Sequence, residues 1–187
     1  MNVLSKESLL SDSILFANFW KLMEEAFPLD ERRDKYSFES MLPETDFVVK
    51  LFVDYKNDPV AFISWWHIKN FRYVEHFMVS SLHRSGGIGS KIFNDFLTEE
   101  NTSVILEVEP IIDILTERRV NFYNRLGLEL LPFNYMQPPY HNNFPFKPML
   151  LMSNFSGIDT NQIGHVVKEI HQKVYRSFGN NPKHSEK

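Results

Sequence analysis

The sequence predicts a mixed α/β domain in which an antiparallel meander leads into a strand–helix–strand crossover. Three observations carry that reading. Between residues 46 and 79, apolar runs rich in β-branched and aromatic residues are broken only by short turns. The segment HRSGGIGS, His83 to Ser90, then concentrates three of the chain's seven glycines between a strand-like run and a helix-like one. After it, strand and helix patterns alternate, which calls for a parallel crossover within the sheet.

Taken in order, SDSILFANFWKLMEEAF places Ile14, Leu15, Phe19, Leu22, Met23 and Ala26 at helical spacing, with Ser11 or Asp12 as N-cap. A second short helix is expected from Asp30 through ERRDKYSFESML until Pro43 stops it. DFVVKLFVDY and VAFISWWHI read as a hairpin around KNDP, and FRYVEHFMV as a third antiparallel strand. KIFNDFLTEE, with Ile88, Ile92, Phe93, Phe96 and Leu97 on one stripe, reads as the crossover helix and SVILEVEP as the strand after it. IIDILTERRVNFYNRLG reads as a helix ended by Gly127, its core face using Ile114, Leu115, Val120 and Leu126. LELLPFNY and PMLLMSNF read as the last two strands, joined by the proline-rich MQPPYHNNFPFKP. The expected organisation is one α/β domain over 1–156, an amphipathic helix within 157–178 that packs on the domain or at a homodimer contact, and a disordered tail at 179–187.

Composition narrows the function. Twenty basic against 24 acidic residues give a net charge of −4, and no segment is strongly basic. That speaks against nucleic-acid and membrane-surface binding. The chain holds no cysteine, so disulfides, thiolate catalysis and zinc-thiolate sites are excluded. The seven histidines show no ligand spacing, and no metal is expected. With neither a leader-like N-terminus nor an apolar run of membrane length, the expectation is a soluble, cytoplasmic protein.

The glycine turn carries the chemistry. Backbone N–H groups in such a turn and in the first turn of the following helix converge and carry partial positive charge, which suits a phosphate. A tight turn without a ligand is the plain alternative. A mononucleotide P-loop fits poorly, because Lys91 follows Ser90 where Gly-Lys-Ser/Thr is required. A dinucleotide fingerprint fits poorly too, since Ile92 stands where a small residue is needed and the turn follows a meander.

Val79 and the following SSLHRSGGIGS nevertheless match the V-x4-[RQ]-x-x-G-x-[GA] signature, with Arg84, Gly87 and Gly89 at its fixed positions. NFYNRLGLEL resembles the F-Y-x-[KR]-x-G-[FL] segment that accompanies it, and the order of elements agrees. In these respects the chain resembles the GCN5-related N-acetyltransferases (GNAT). The resemblance implies a mostly antiparallel sheet with a central, splayed parallel strand pair flanked by helices. It also implies acetyl-CoA as donor, bound without metal. The pantetheine arm would lie against Met78 and Val79, and the pyrophosphate on the amides of Arg84, Ser85, Gly86, Gly87, Ile88, Gly89 and Ser90.

By the same resemblance Tyr123 takes the place of the family's proton donor to the leaving thiolate, and the Val79 N–H would hold the oxyanion. The sequence departs from the pattern at Thr116, where many relatives have asparagine, and at Arg119, where a small residue is usual. For the general base the candidates are Glu75, Glu107 and Glu109. Alternation puts the last two on one face and sends His76 opposite Glu75. Arg32 or Arg33 could grip an acidic acceptor, and Tyr135 and Tyr140 could line an acceptor wall. The expected activity is transfer of an acetyl group to a primary amine of a small molecule or peptide. The alternatives are a catalytically silent acyl-CoA sensor of the same fold and a binder of another nucleotide.

Overall fold

The computed structural model describes residues 1–84, 86–155, 157 and 159–175; Ser85, the end of the expected C-terminal segment and the expected disordered tail lie outside them. The chain opens with β1 (Asn2–Ser5), α1 (Lys6–Ser11), α2 (Ser13–Ala26) and α3 (Lys35–Met41). The meander follows as β2 (Phe47–Val53), β3 (Pro59–Ile68) and β4 (Phe71–Val79), then α4 (Ile88–Glu99), β5 (Ser103–Val108) and α5 (Ile114–Asn124). The remainder is β6 (Glu129–Leu130), β7 (Tyr135–Gln137), β8 (Lys147–Ser153) and α6 (Thr160–Lys173).

The strands form one sheet in the order β1-β2-β3-β4-β5-β8-β6, with β7 on the first half of β8. Every pairing is antiparallel except β4 with β5. This is the mixed α/β sheet with a central parallel pair that the sequence predicts. Helices cover both faces. One core joins Phe19, Phe38, Trp66, Tyr73 and Ile170 beneath α2, α3 and α6. The other joins Val74, Phe93, Phe96, Leu106 and Val120 beneath α4 and α5. The middle strand β3 is therefore buried along nearly its whole length, whereas β2 alternates strictly and buries every second residue.

Local chemistry explains where the elements begin. Asp12 accepts hydrogen bonds from the N–H groups of Ile14 and Leu15, each at 2.9 Å, and so caps α2. Leu15, Phe16, Phe19, Trp20, Leu22 and Met23 form its buried stripe, while Ile14 stands on the opposite side of the helix and is exposed. The second helix is shorter than expected. Leu29–Glu31 forms a single 3-10 turn, Arg32 is extended, and Asp34 caps α3 through Ser37 N–H at 2.9 Å. On α5 the buried face is Thr116, Val120 and Tyr123, so Ile114 and Leu115 are exposed rather than core. LELLPFNY does not run as one strand, because Pro132 has no N–H for a ladder and parts β6 from β7. β1 and α1 escape the sequence reading; β1 is a short, exposed edge. An Asp159–Gln162 capping box starts α6, which buries Ile163 and Ile170 in the first core.

One irregularity re-aims the central strand. Ser64 stands opposite His76 and Trp65 opposite Val74, which leaves Glu75 as an extra residue of β4. Such a bulge breaks alternation. His76 consequently shares the first-core side with Glu75, packing on Phe27 at 4.6 Å between ring centroids, and the expected opposite placement is corrected. Its Nε2 lies 3.2 Å from the Glu31 carbonyl, which can only accept, so the proton sits on Nε2 and Nδ1 faces the Ser64 hydroxyl at 3.4 Å.

Burial drives the His76 pKa down to about 3, well below that of an unfolded histidine. Between those values the unfolded chain binds a proton that the folded chain refuses, so stability is complete above about pH 6.5 and falls as the pH drops. Denaturant titrations at pH 7 and pH 5 should show a loss for the parent about 2 kcal/mol larger than for His76→Gln. An equal loss in both chains would mean that His76 is charged in the fold.

Candidate functional site

The parallel ladder between β4 and β5 runs only from Phe71 opposite Ser103 to Val74 opposite Leu106. Both strands continue, to Val79 and Val108, without pairing with each other, and a cleft of about 760 Å³ opens between them. Ser80 N–H donates to the Val60 carbonyl at 2.8 Å, and Phe62 faces Met78 across the ladder. By antiparallel alternation the main-chain groups of Met78 then point to β3, while those of Phe77 and Val79 point into the cleft. Of the two residues expected to offer backbone to a ligand, Val79 directs its main chain into the cleft, while Met78 yields that direction to Phe77 and lines the cleft otherwise. The Val79 carbonyl already accepts from Arg84 Nε at 3.0 Å.

Beyond β4 the chain makes a 3-10 turn at Ser81–His83 and enters α4 through Gly86 and Gly87, at φ +95° and +74°. Both values lie in the region that favours glycine. A Cβ at either would meet nothing within 4 Å, so the space before the helix N-terminus is open. A Cβ at Gly89 would stand 3.4 Å from Val79 Cγ2 and 3.9 Å from the Phe122 ring, ordinary contact distances, so the first turn of α4 packs directly on β4 and α5. The other end of α4 is held by the same strand: buried Arg72 donates to the carbonyls of Phe96 at 2.9 Å and Glu100 at 3.3 Å. Arg84, Gly87, Gly89 and Ser90 line the cleft, with Ile88 and Gly86 beside them in the chain, while Ser85 lies outside the described residues.

The far wall is α5. Leu115, Arg118, Arg119 and Phe122, at i, i+3, i+4 and i+7, present one face to the cleft, with Tyr123 at its edge. Tyr123 packs on Phe93 with ring centroids 5.1 Å apart. Burial raises its phenol pKa to about 12, partly offset by Arg119, so it stays protonated at neutral pH. Among the described residues its hydroxyl has no hydrogen-bond partner. The Thr116 hydroxyl, in contrast, is engaged at the N-terminus of α5 by the N–H groups of Ile112 and Asp113.

The structure separates the three carboxylates. Glu75 and Glu107 line the cleft; Glu109 does not, because it lies past the end of β5 and pairs with Arg119. The expectation that Glu107 and Glu109 share a face fails where the strand ends. The Glu75 side chain is fully buried, bound by Arg33 and by Trp66 Nε1 at 2.8 Å. Arg33 therefore serves this internal pair, lies against the Tyr140 ring and also donates to the Val174 carbonyl. Arg32 instead pairs with Glu24. Around Glu107 the donors are neutral: Tyr135 at 2.5 Å, Tyr175 at 3.1 Å and the Gln137 amide. Burial raises the Glu107 pKa, and hydrogen bonds from Tyr135 and its neighbours only partly offset this.

The sequence reading missed this cage. Tyr175 lies 68 residues from Glu107, and no local pattern announces such a contact. Arg33 had a faint signal in the paired arginines of DERRDK. Among the described residues no group of three or more His, Asp or Glu could hold a metal ion, and no helix is long and apolar enough to cross a membrane.

No family model matches the sequence. YjbC of Bacillus subtilis (strain 168), assigned as an acetyltransferase, is 30% identical over 111 residues, which span 58% of this chain and 55% of that protein. The chain thus spans about half the length of that curated relative. The fold also matches an aminoglycoside 6'-N-acetyltransferase solved with coenzyme A, at TM-score 0.57 and 17% identity over 85% of this chain and all of that one. That likeness is one of fold alone. A solved Bacteroides thetaiotaomicron protein, assigned as a GNAT acetyltransferase, is nearer: TM-score 0.80 and 30% identity over 88% of this chain and 94% of that one. That identity extends over most of both chains, so the chain belongs to the GCN5-related N-acetyltransferase (GNAT) family.

Proposed function

We propose that this protein is an acetyl-CoA-dependent N-acetyltransferase that transfers the acetyl group directly to a primary amine of a small molecule or peptide. One observation carries the reading: a single cleft joins strand backbone that leaves the ladder, an open glycine turn at a helix N-terminus, and a tyrosine hydroxyl without a partner among the described residues. The fit to CoA is specific in kind. The N–H and C=O groups of Phe77 and the N–H of Val79 suit an amide-bearing arm laid alongside β4, and the amides from Gly86 to Ser90 suit its pyrophosphate. When bound, acetyl-CoA supplies an activated acyl thioester.

The roles of the chain's own residues follow from their surroundings. The Val79 N–H, directed into the cleft, stabilises negative charge on the carbonyl oxygen under attack. Tyr123, protonated at neutral pH, gives its proton to the departing sulfur. The base that accepts the ammonium proton is Glu107 rather than Glu75. Glu75 already neutralises a guanidinium, whereas Glu107 is held by neutral donors in a buried setting that favours taking up a proton. Glu109, bound to Arg119 outside the cleft lining, is left without that role.

A second reading has its own support. Thr116 is turned to helix capping and Glu75 is neutralised, which would suit a chain that binds acyl-CoA without transferring the acyl group. Turnover over a panel of amines separates the two.

Donor binding is tested by melting. At 100 times the dissociation constant, CoA should stabilise the fold by about 2.7 kcal/mol. No shift at millimolar CoA sinks the donor assignment. For the tyrosine, Tyr123→Phe keeps the ring and should leave CoA affinity unchanged while lowering turnover by about 10²–10⁴-fold. The loss should shrink with a donor whose thiol leaves readily as the anion. For the base, kcat/KM of the parent should fall on acidification with a midpoint above the ordinary carboxylate value, because burial raises the Glu107 pKa. Glu107→Gln should abolish that limb and most of the turnover; a limb that survives in the variant transfers the role to another group.

A further inference from the structure

The cleft's charges are sorted by position. Glu75 and Glu107 lie at its inner end, while three arginines, Arg84, Arg118 and Arg119, line it elsewhere. This is a local cationic wall in a protein of net charge −4. Two of those arginines come from α5, across the cleft from the glycine turn. Their distance from the turn is set by Phe122, whose ring lies 3.9 Å from the Cβ position of Gly89 in the first turn of α4. One helical turn, about 5.4 Å, before Phe122 on the same face come Arg118 and Arg119. An arginine side chain spans that gap, so anything negative seated before the N-terminus of α4 has two guanidinium groups opposite.

Their present engagements differ. Arg118 forms no ion pair among the described residues. Arg119 is half-exposed and bound to Glu109, which itself lies just past the end of β5. The backbone amides of the turn are neutral donors, whereas CoA brings two phosphate groups in its pyrophosphate and a third on the ribose. A main-chain cradle alone leaves much of that charge uncompensated, and bidentate guanidinium contacts are the usual complement.

We infer that Arg118 and Arg119 form a side-chain clamp from α5 that grips a phosphate of the donor across the cleft from the glycine turn. This rests on the donor reading above and adds two residues that the sequence resemblance does not supply. It also gives Glu109 a part: a neighbour that holds Arg119 in place before the donor arrives and competes with phosphate for it.

Calorimetric titration with CoA, dephospho-CoA and pantetheine tests the clamp without relying on turnover. Both arginines are exposed on a helix, so Arg118→Gln and Arg119→Gln should fold as the parent does. Each should weaken CoA about 3- to 10-fold, the range of a partly screened charge-assisted contact, and the loss should shrink in 1 M salt, where the Debye length is about 3 Å. Pantetheine, which has no phosphate, should bind parent and variants alike. A loss confined to CoA places the clamp on the ribose phosphate; an equal loss with dephospho-CoA places it on the pyrophosphate. Glu109→Gln should tighten CoA by about 2- to 3-fold, as expected on removing one exposed like charge. If the parent binds CoA and all variants bind it equally, the clamp is overturned while the donor reading stands. If the parent binds neither nucleotide, it is the donor reading that fails.

Discussion

Everything distinctive about this fold follows from two strands that stop pairing before they end. After Val74 and Leu106, β4 and β5 diverge, and the backbone groups of Phe77 and Val79 are left facing a cleft rather than a ladder. Unpaired main-chain groups in a sheet interior are costly unless water or a ligand satisfies them. The surrounding structure keeps the gap from collapsing. The first turn of α4 packs on Val79 at Gly89, Arg72 fixes the other end of that helix, and the aromatic contacts of Phe93 with Phe77, Phe122 and Tyr123 tie α4, β4 and α5 together. The opening is a built feature of the second core and needs no ligand to define it.

The sheet divides the chemistry as well as the cores. The glycine turn and the α5 wall belong to the side of α4 and α5. The carboxylates and their partners belong to the other side, where Arg33, Tyr135, Tyr140 and Tyr175 converge. The bulge at Glu75 makes that division possible, because an unbroken β4 would send Glu75 and His76 to opposite faces. With the extra residue, a carboxylate and a neutral histidine both serve one layer.

Much of this was legible in the residues. The meander, the crossover and the glycine turn follow from period and composition, and two motifs at the right separation led to the correct family. What escaped was non-local or turned on a single residue. A bulge leaves no mark in FRYVEHFMV, so strict alternation misplaced His76. Helical periodicity over 30–42 could not reveal that Asp34 would cap a shorter helix and leave Arg33 to reach Glu75, 42 residues away. Glu107 and Glu109 look equivalent in LEVEP, and only the end of β5 tells them apart. In α5, apolar Ile114 and Leu115 invite a core reading, while the helix buries Thr116, Val120 and Tyr123 and turns Leu115 to the cleft.

The tie between Tyr175 and Glu107 has a consequence for how the site behaves in time. Helix ends fray more readily than cores open, and the two residues just past α6 carry the Tyr175 hydroxyl that touches Glu107 and the Val174 carbonyl that holds Arg33. Were that segment to open, water would reach two carboxylates at once and lower the proton affinity of Glu107 toward that of an ordinary surface acid. Opening of the segment and the acid–base state of Glu107 would then be one coupled equilibrium, and temperature or denaturant well below global unfolding would act on both together.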